Sequence, residues 1–223
     1  MPHDHHDHDH DHLSPSGHPY RQDNDEPLTY WQLMEISVRE LMIEKGKFSA
    51  PEINKQIDLM DSRSPADGAT VVARAWMDPD FKKRLLENGA SAAEELGFEI
   101  GPMHLVVVEN TPKIHNLIVC TLCSCYPRNL LGLPPDWYKT KEYRSRAVKE
   151  PRTVLTEFGV SLPESTVVRV HDSTADMRYL VLPLRPESTA EMSEVELRKL
   201  VSRDSMIGTG VIQEIYVSIY FPA

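Results

Sequence analysis

From residue 28 onward the chain passes through stretches of helical and strand periodicity. Trp31, Met34, Val38, Leu41 and Met42 share one face at helical spacing, which predicts an amphipathic helix over 28–46 that stops at Gly46. Ser49-Ala-Pro-Glu52 has capping-box spacing and opens a second helix. Residues 67–76 read as helix. Asp78 followed by Pro79 supplies an N-cap and a proline at the first helical position for a helix through Leu86, and a short helix over 90–96 ends at Gly97. Residues 104–109 (HLVVVE) and 114–119 (IHNLIV) are β-rich runs separated by Asn110-Thr111-Pro112. Helices are predicted over 136–149 and 151–158, strands over 166–171 and 177–182, and a last helix from Ser193-x-x-Glu196 through 202. Residues 211–221 (VIQEIYVSIYF) alternate as a strand.

Two helices with one apolar stripe, ahead of the denser part of the chain, form a candidate arm that packs on a partner chain. The hydrophobic fraction of 40% and charged fraction of 26% are those of a soluble globular protein. No apolar run approaches the ~20 residues of a membrane span, and the polar, acidic start has no secretory pattern. With unpaired cysteines, this predicts a cytoplasmic protein with no membrane partner. The formal net charge is -10, and residues 1–26 carry seven acids and one arginine of that balance. An acidic chain has no electrostatic footprint for nucleic acid. His3, His5, His6, His8, His10 and His12 interleave with Asp4, Asp7, Asp9 and Asp11, so residues 1–27 are expected to be a disordered tail with incidental affinity for divalent metal.

All three cysteines lie in one run, Cys120-Thr121-Leu122-Cys123-Ser124-Cys125. They are poorly placed for structural disulfides, which gain most from closing long loops. Cys-x-x-Cys alone permits a redox dithiol, and buried inert thiols are a third reading. The third cysteine, two residues on, favours a metal site, because three thiolates on one loop can cap one face of an ion. A structural zinc site wants four protein ligands. His104 or His115 could supply a fourth, although structural histidines are the expectation for both, and for His171.

The surrounding residues are specific. Val119-Cys-Thr-Leu-Cys-Ser-Cys-Tyr-Pro127, Leu131-Gly-Leu-Pro-Pro-Asp-Trp-Tyr-Lys139, Tyr143-Arg-Ser-Arg146, Glu150-Pro-Arg152, Leu155-Thr-Glu-Phe-Gly159 and Arg203-Asp-Ser-Met-Ile-Gly208 occur in order. This pattern resembles the α subunit of nitrile hydratase over about 30–210. The resemblance implies an α+β fold, with a helical N-terminal arm followed by a four-layer α-β-β-α domain. It divides the chain into the tail (1–27), an arm (28–65), a metal-binding catalytic domain (66–210) and an atypical C-terminal tail (211–223).

It further implies a non-haem cobalt(III) centre, with iron(III) the alternative. The implied ligands are the sulfurs of Cys120, Cys123 and Cys125 and the backbone nitrogens of Ser124 and Cys125, with Cys123 a sulfinate and Cys125 a sulfenate. Thr121 matches the cobalt pattern. Cys125 and Ser124 would act in hydrating a nitrile to its amide, and Tyr126 and Arg128 would line the substrate pocket. The implied partners are a β subunit, in a heterodimer or heterotetramer, and a cobalt-insertion activator protein.

Three features depart from the family. Arg128 stands where tryptophan is usual and would suit an anionic or polar substrate. A glutamine expected before the Glu109-Asn-Thr111 run has no counterpart. The end beyond Gly210 is unlike the family's. The γ subunit of thiocyanate hydrolase shares the cobalt loop and Tyr-Pro-Arg, and is the rival resemblance. A non-catalytic metal carrier is the non-enzymatic alternative.

Overall fold

The computed structural model describes residues 27–213. The chain divides into two compact units between Ile53 and Asn54. In the first, helix α1 (Tyr30–Glu44) starts at Thr29, whose side chain and that of Gln32 form a reciprocal capping box. The helix ends at Glu44, two residues before Gly46, which adopts the left-handed conformation expected of a stop. No α1 residue is buried, and Trp31 is 78% exposed. Trp31, Met34 and Val38 line an apolar groove with Phe48 and Ile53. Helix α2 (Ala50–Asp61) begins from the expected Ser49/Glu52 box.

In the second unit, α3 (Pro65–Met77), α4 (Pro79–Glu87) and α5 (Gly89–Glu95) are capped by Ser64, Asp78 and Asn88. α3 buries Val71, Val72 and Ala75 on its core face. The sequence placed strands β1 (His104–Glu109), β2 (Ile114–Val119) and β4 (Met177–Leu182) with these bounds, and β3 (Val167–Asp172) one residue early.

Their pairing is long-range. β1 runs parallel to β4, with His104 opposite Met177, and β2 runs parallel to β3, with Ile114 opposite Val167. α4 and α5 pack on β1, β4 meets β2, and α8 (Lys141–Lys149) and α9 (Pro151–Glu157) pack on β2 and β3. The order is helices, sheet, sheet, helices: the α+β class with the expected layers. β2 is buried from His115 to Val119, as a strand between two layers must be. Among the described residues no helix is long and apolar enough to cross a membrane.

The structure changes several sequence expectations. The helix expected over 136–149 is broken into α7 (Asp136–Lys139) and α8, because extended Thr140 caps the second with its hydroxyl on the Tyr143 amide. Two short helices, α6 (Arg128–Leu131) and α11 (Arg203–Ile207), were not anticipated, and α10 (Glu194–Leu200) stops two residues early. His104 is exposed rather than partly buried. Residues 211–213 are not strand, and the rest of the strand expected over 211–221 lies outside the described residues.

Candidate metal centre

The site starts where β2 leaves the core. Cys120 follows Val119 directly and is fully buried. The β2–β3 register places Val119 opposite Asp172, so the β3 carboxylate reaches the loop's first turn. Its Oδ1 accepts from the Thr121 amide at 2.9 Å and its Oδ2 from the Thr121 hydroxyl at 2.5 Å. The Ser173 amide donates to the Val119 carbonyl at 2.7 Å and closes the strand pair.

The loop then turns back on itself. The Cys123 amide donates to the Cys120 sulfur at 3.3 Å. At the loop's exit the buried Tyr138 hydroxyl donates to the Cys125 carbonyl at 2.9 Å, and before its entry the Tyr143 hydroxyl donates to the Ile118 carbonyl of β2 at 2.7 Å. Tyr126 packs edge-on to Tyr138, with ring centroids 5.2 Å apart. Backbone polar groups in a buried loop need such partners, and each one left unmade costs ~1–3 kcal/mol.

The cysteines are free thiols. Sγ of Cys123 lies 3.5 Å from that of Cys120 and 3.2 Å from that of Cys125, and all three sulfurs fall within 4.8 Å of one another. These separations exceed the ~2.05 Å of a disulfide and suit three donors around one ion. No histidine or carboxylate joins the group among the described residues. The fourth-ligand role open to His104 and His115 is therefore unfilled: His104 is exposed, and His115 donates from Nε2 to the Gly208 carbonyl at 2.7 Å. A closed tetrahedral zinc site is incomplete here.

Electrostatics agree. Side-chain hydrogen bonds from Cys125 and Cys120 lower the Cys123 thiol to about 7. Burial, then the hydrogen bond with Cys123, pushes Cys125 up to about 12, with Arg178 pulling the other way. Of these two thiols, the exposed Cys123 is therefore the one that ionises more readily. Leu122, at the loop tip, is 84% exposed, Cys123 is exposed and Cys125 only 8% so.

The remaining named residues fall at different depths. Ser124 and Arg128 are half-buried, and Tyr126 is buried in the core. The Arg128 side chain has no hydrogen bond or ion pair among the described residues. Arg146 pairs with Glu150 and Glu157. Arg144, Arg152 and Arg178 donate instead to backbone carbonyls.

Behind the loop, His171 Nε2 donates to Asn116 Oδ1 at 2.8 Å, and Asn116 Nδ2 to the Glu109 carbonyl at 2.8 Å. Gly208 has φ 87°, and a Cβ there would meet the Asn116 carbonyl at 2.0 Å, so only glycine lets α11 seat against β2. Asp172 and Tyr138 were not picked out from sequence. Their proximity depends on strand register and helix packing, and the only earlier signal was Tyr138's place in the Trp-Tyr-Lys run.

The family model for nitrile hydratase, alpha chain, matches residues 29–210. The chain belongs to this family. It is 47% identical over 175 residues to the low-molecular weight cobalt-containing nitrile hydratase subunit alpha of Rhodococcus rhodochrous, covering 77% of this chain and 84% of that protein. It is 41% identical over 198 residues to the thiocyanate hydrolase subunit gamma of Thiobacillus thioparus, covering 83% and 82%. Among solved structures, a recombinant thiocyanate hydrolase with partially modified cobalt centres superposes with a TM-score of 0.79 at 39% identity, covering 84% of this chain and 92% of that one. Membership therefore rests on most of the chain as well as on the cysteine run. The match ends where the 211–223 tail begins.

Proposed function

We propose that this chain is the α subunit of a cobalt nitrile hydratase and hydrates a nitrile to its amide together with a β subunit. The observation that carries this reading is the trio of sulfurs within 4.8 Å on one loop that Asp172 and Tyr138 hold at its two ends. Cys120, Cys123 and Cys125, with the Ser124 and Cys125 nitrogens, would hold cobalt(III), as the cobalt-containing relatives' names support, with iron(III) the alternative. The ion supplies Lewis-acid chemistry, polarising a nitrile and acidifying water.

The chain's own residues do the rest. Asp172 and Tyr138 grip the loop on both sides, so the sulfurs need not reorganise when loaded. Cys123 is exposed, Cys125 nearly buried and Cys120 wholly buried. This order supports a sulfinate at Cys123, a sulfenate at Cys125 and an unoxidised thiolate at Cys120. Cys125 and Ser124 would face the reacting carbon. Tyr126 would form the floor under the loop, and the Arg128 side chain, without a hydrogen bond or ion pair among the described residues, would stand at its exit. An exposed Cys123 needs a cover, which the β subunit would supply, and a cobalt-insertion activator would load the loop.

Arg128 also supports a second reading, the γ subunit of a thiocyanate hydrolase, because a guanidinium with no partner among the described residues suits an anionic substrate. The test is co-expression with the partner subunits in cobalt-supplemented medium, followed by assay on an aliphatic nitrile, an aromatic nitrile and thiocyanate. Amide formation supports the first reading. Ammonia and carbonyl sulfide from thiocyanate alone support the second. One tightly held metal per chain with neither activity, even beside the partners, leaves the metal carrier.

A further inference from the structure

A groove of about 480 Å³ lies beside the cysteine loop, between Thr121 and the exposed face of α8. The helix contributes Lys141, Arg144, Ser145, Val148 and Lys149, positions that helical spacing brings into one stripe. No carboxylate lines the groove among the described residues. Lys141, Lys149 and the Ser145 hydroxyl have no hydrogen bond or ion pair there either. Arg144 donates from Nε to the Thr140 carbonyl at 3.3 Å and from Nη1 to the Thr121 carbonyl at 3.4 Å, so its charge meets carbonyls and no acid. Asp172, the acid that reaches Thr121, has both oxygens engaged by that residue's amide and hydroxyl.

Three uncompensated cations in one stripe stand out on a chain whose formal net charge is -10. The stripe acts locally, because salt at 0.1 M screens exposed charges beyond ~10 Å. Its dimensions select the class of anion. Lys141 and Lys149 are separated by about 12 Å of helix at ~1.5 Å per residue. One small anion would have to draw both lysines inward along the axis, whereas carboxylates a turn or two apart on one segment meet each cation where it stands. Val148, 50% exposed, lies among the cations, and Leu122, beside Thr121, is 84% exposed. A free anion offers these apolar surfaces nothing, and a protein segment can cover them. A long polyanion or an anionic membrane would also face the net negative charge of the rest of the chain.

We propose that this groove docks an acidic segment of a partner protein, with its carboxylates on Lys141, Arg144 and Lys149 and an apolar side chain on Val148. So placed, the segment abuts the first turn of the cysteine loop. Arg144, bonded to the Thr121 carbonyl, is the group through which its arrival reaches that loop. The docking face is the same whether the loop serves a nitrile or thiocyanate.

The test titrates the full chain with a synthetic peptide bearing glutamates one helical turn apart around a leucine, and in parallel with its lysine counterpart, inorganic phosphate and phosphatidylglycerol vesicles. The glutamate peptide should bind and slow hydrogen–deuterium exchange in 121–122 and 141–149, and the lysine peptide should do neither. Lys141→Glu/Lys149→Glu should weaken binding by at least about tenfold, because like charges then face each other across the contact. Lys83→Glu/Lys113→Glu, which makes the same change in net charge elsewhere, should leave it unchanged. Failure of the glutamate peptide to bind, equal affinity in the Lys141→Glu/Lys149→Glu variant, or slowed exchange confined to other segments would overturn the proposal. So would phosphate displacing the peptide at equal concentration, which would make the groove a small-anion site, or vesicles binding more tightly than the peptide. Binding that appears only after Asp4, Asp7, Asp9 and Asp11 are changed to Asn would overturn it too, since the occupant would then be the chain's own N-terminus.

Discussion

The cysteine loop and the arm helix α1 are built on opposite principles. Every turn of the loop is held from within the chain: Asp172 at its entry, Tyr138 at its exit and the Cys120 sulfur on the Cys123 amide. α1 is equally well capped, yet none of its residues is buried. One region is finished locally and needs an ion. The other is finished only in its own backbone, and its apolar face awaits a surface. Capping and periodicity decide whether a helix forms; they do not decide what covers it.

The sharpest way to break this contrast is to remove a sulfur. Cys120→Ser leaves two of the three sulfurs. It should reduce retained metal by more than the ~10–100-fold that loss of an outer partner costs, measured as metal per chain after dialysis against a chelator. Tyr138→Phe keeps every sulfur but strands the Cys125 carbonyl. The expected cost is ~1–3 kcal/mol of stability, read from denaturant midpoints, with faster metal loss to chelator. Equal metal retention would show that the exit clamp is dispensable.

Acidification comes next. Burial lowers both His115 and His171 below the ordinary histidine value. Their contribution to stability is full above the unfolded value of ~6.5 and is lost as pH falls toward the folded values. The melting temperature should therefore drop from pH 7 to pH 5, and His115→Asn should flatten that slope. The smallest effect on the chain's own stability should come from the arm. Val38→Asp should shift it by no more than ~0.5 kcal/mol and leave metal content unchanged. The same variant should weaken association with the partner subunit on size-exclusion chromatography. A melting temperature that falls as it does in Tyr138→Phe would mean that the chain itself buries that face.

The helix caps at Ser49, Asp78 and Ser193 were legible because capping is a contract between residues three apart. Three strands were legible because β-branched runs sit between turn residues. The break at Thr140 was hidden by a continuous helical pattern, and short helices such as α6 and α11 have too few turns to show a period. Parallel pairing was not legible either. His104 meets Met177 only because whole layers assemble, and no local signal encodes that distance. At the site, the sulfurs could be read as a cluster since one loop carries them all. Asp172 could not, because it reaches Thr121 from 51 residues away.

That separation also sets a clock. A ribosome adding ~5–20 residues per second takes about 3–10 s to pass from Thr121 to Asp172. Throughout that interval the three thiols exist without the strand that fixes their loop. A nascent chain would therefore meet metals and oxidants before it could discriminate among them, and any factor that times cobalt delivery has its natural window after β3 has been synthesised.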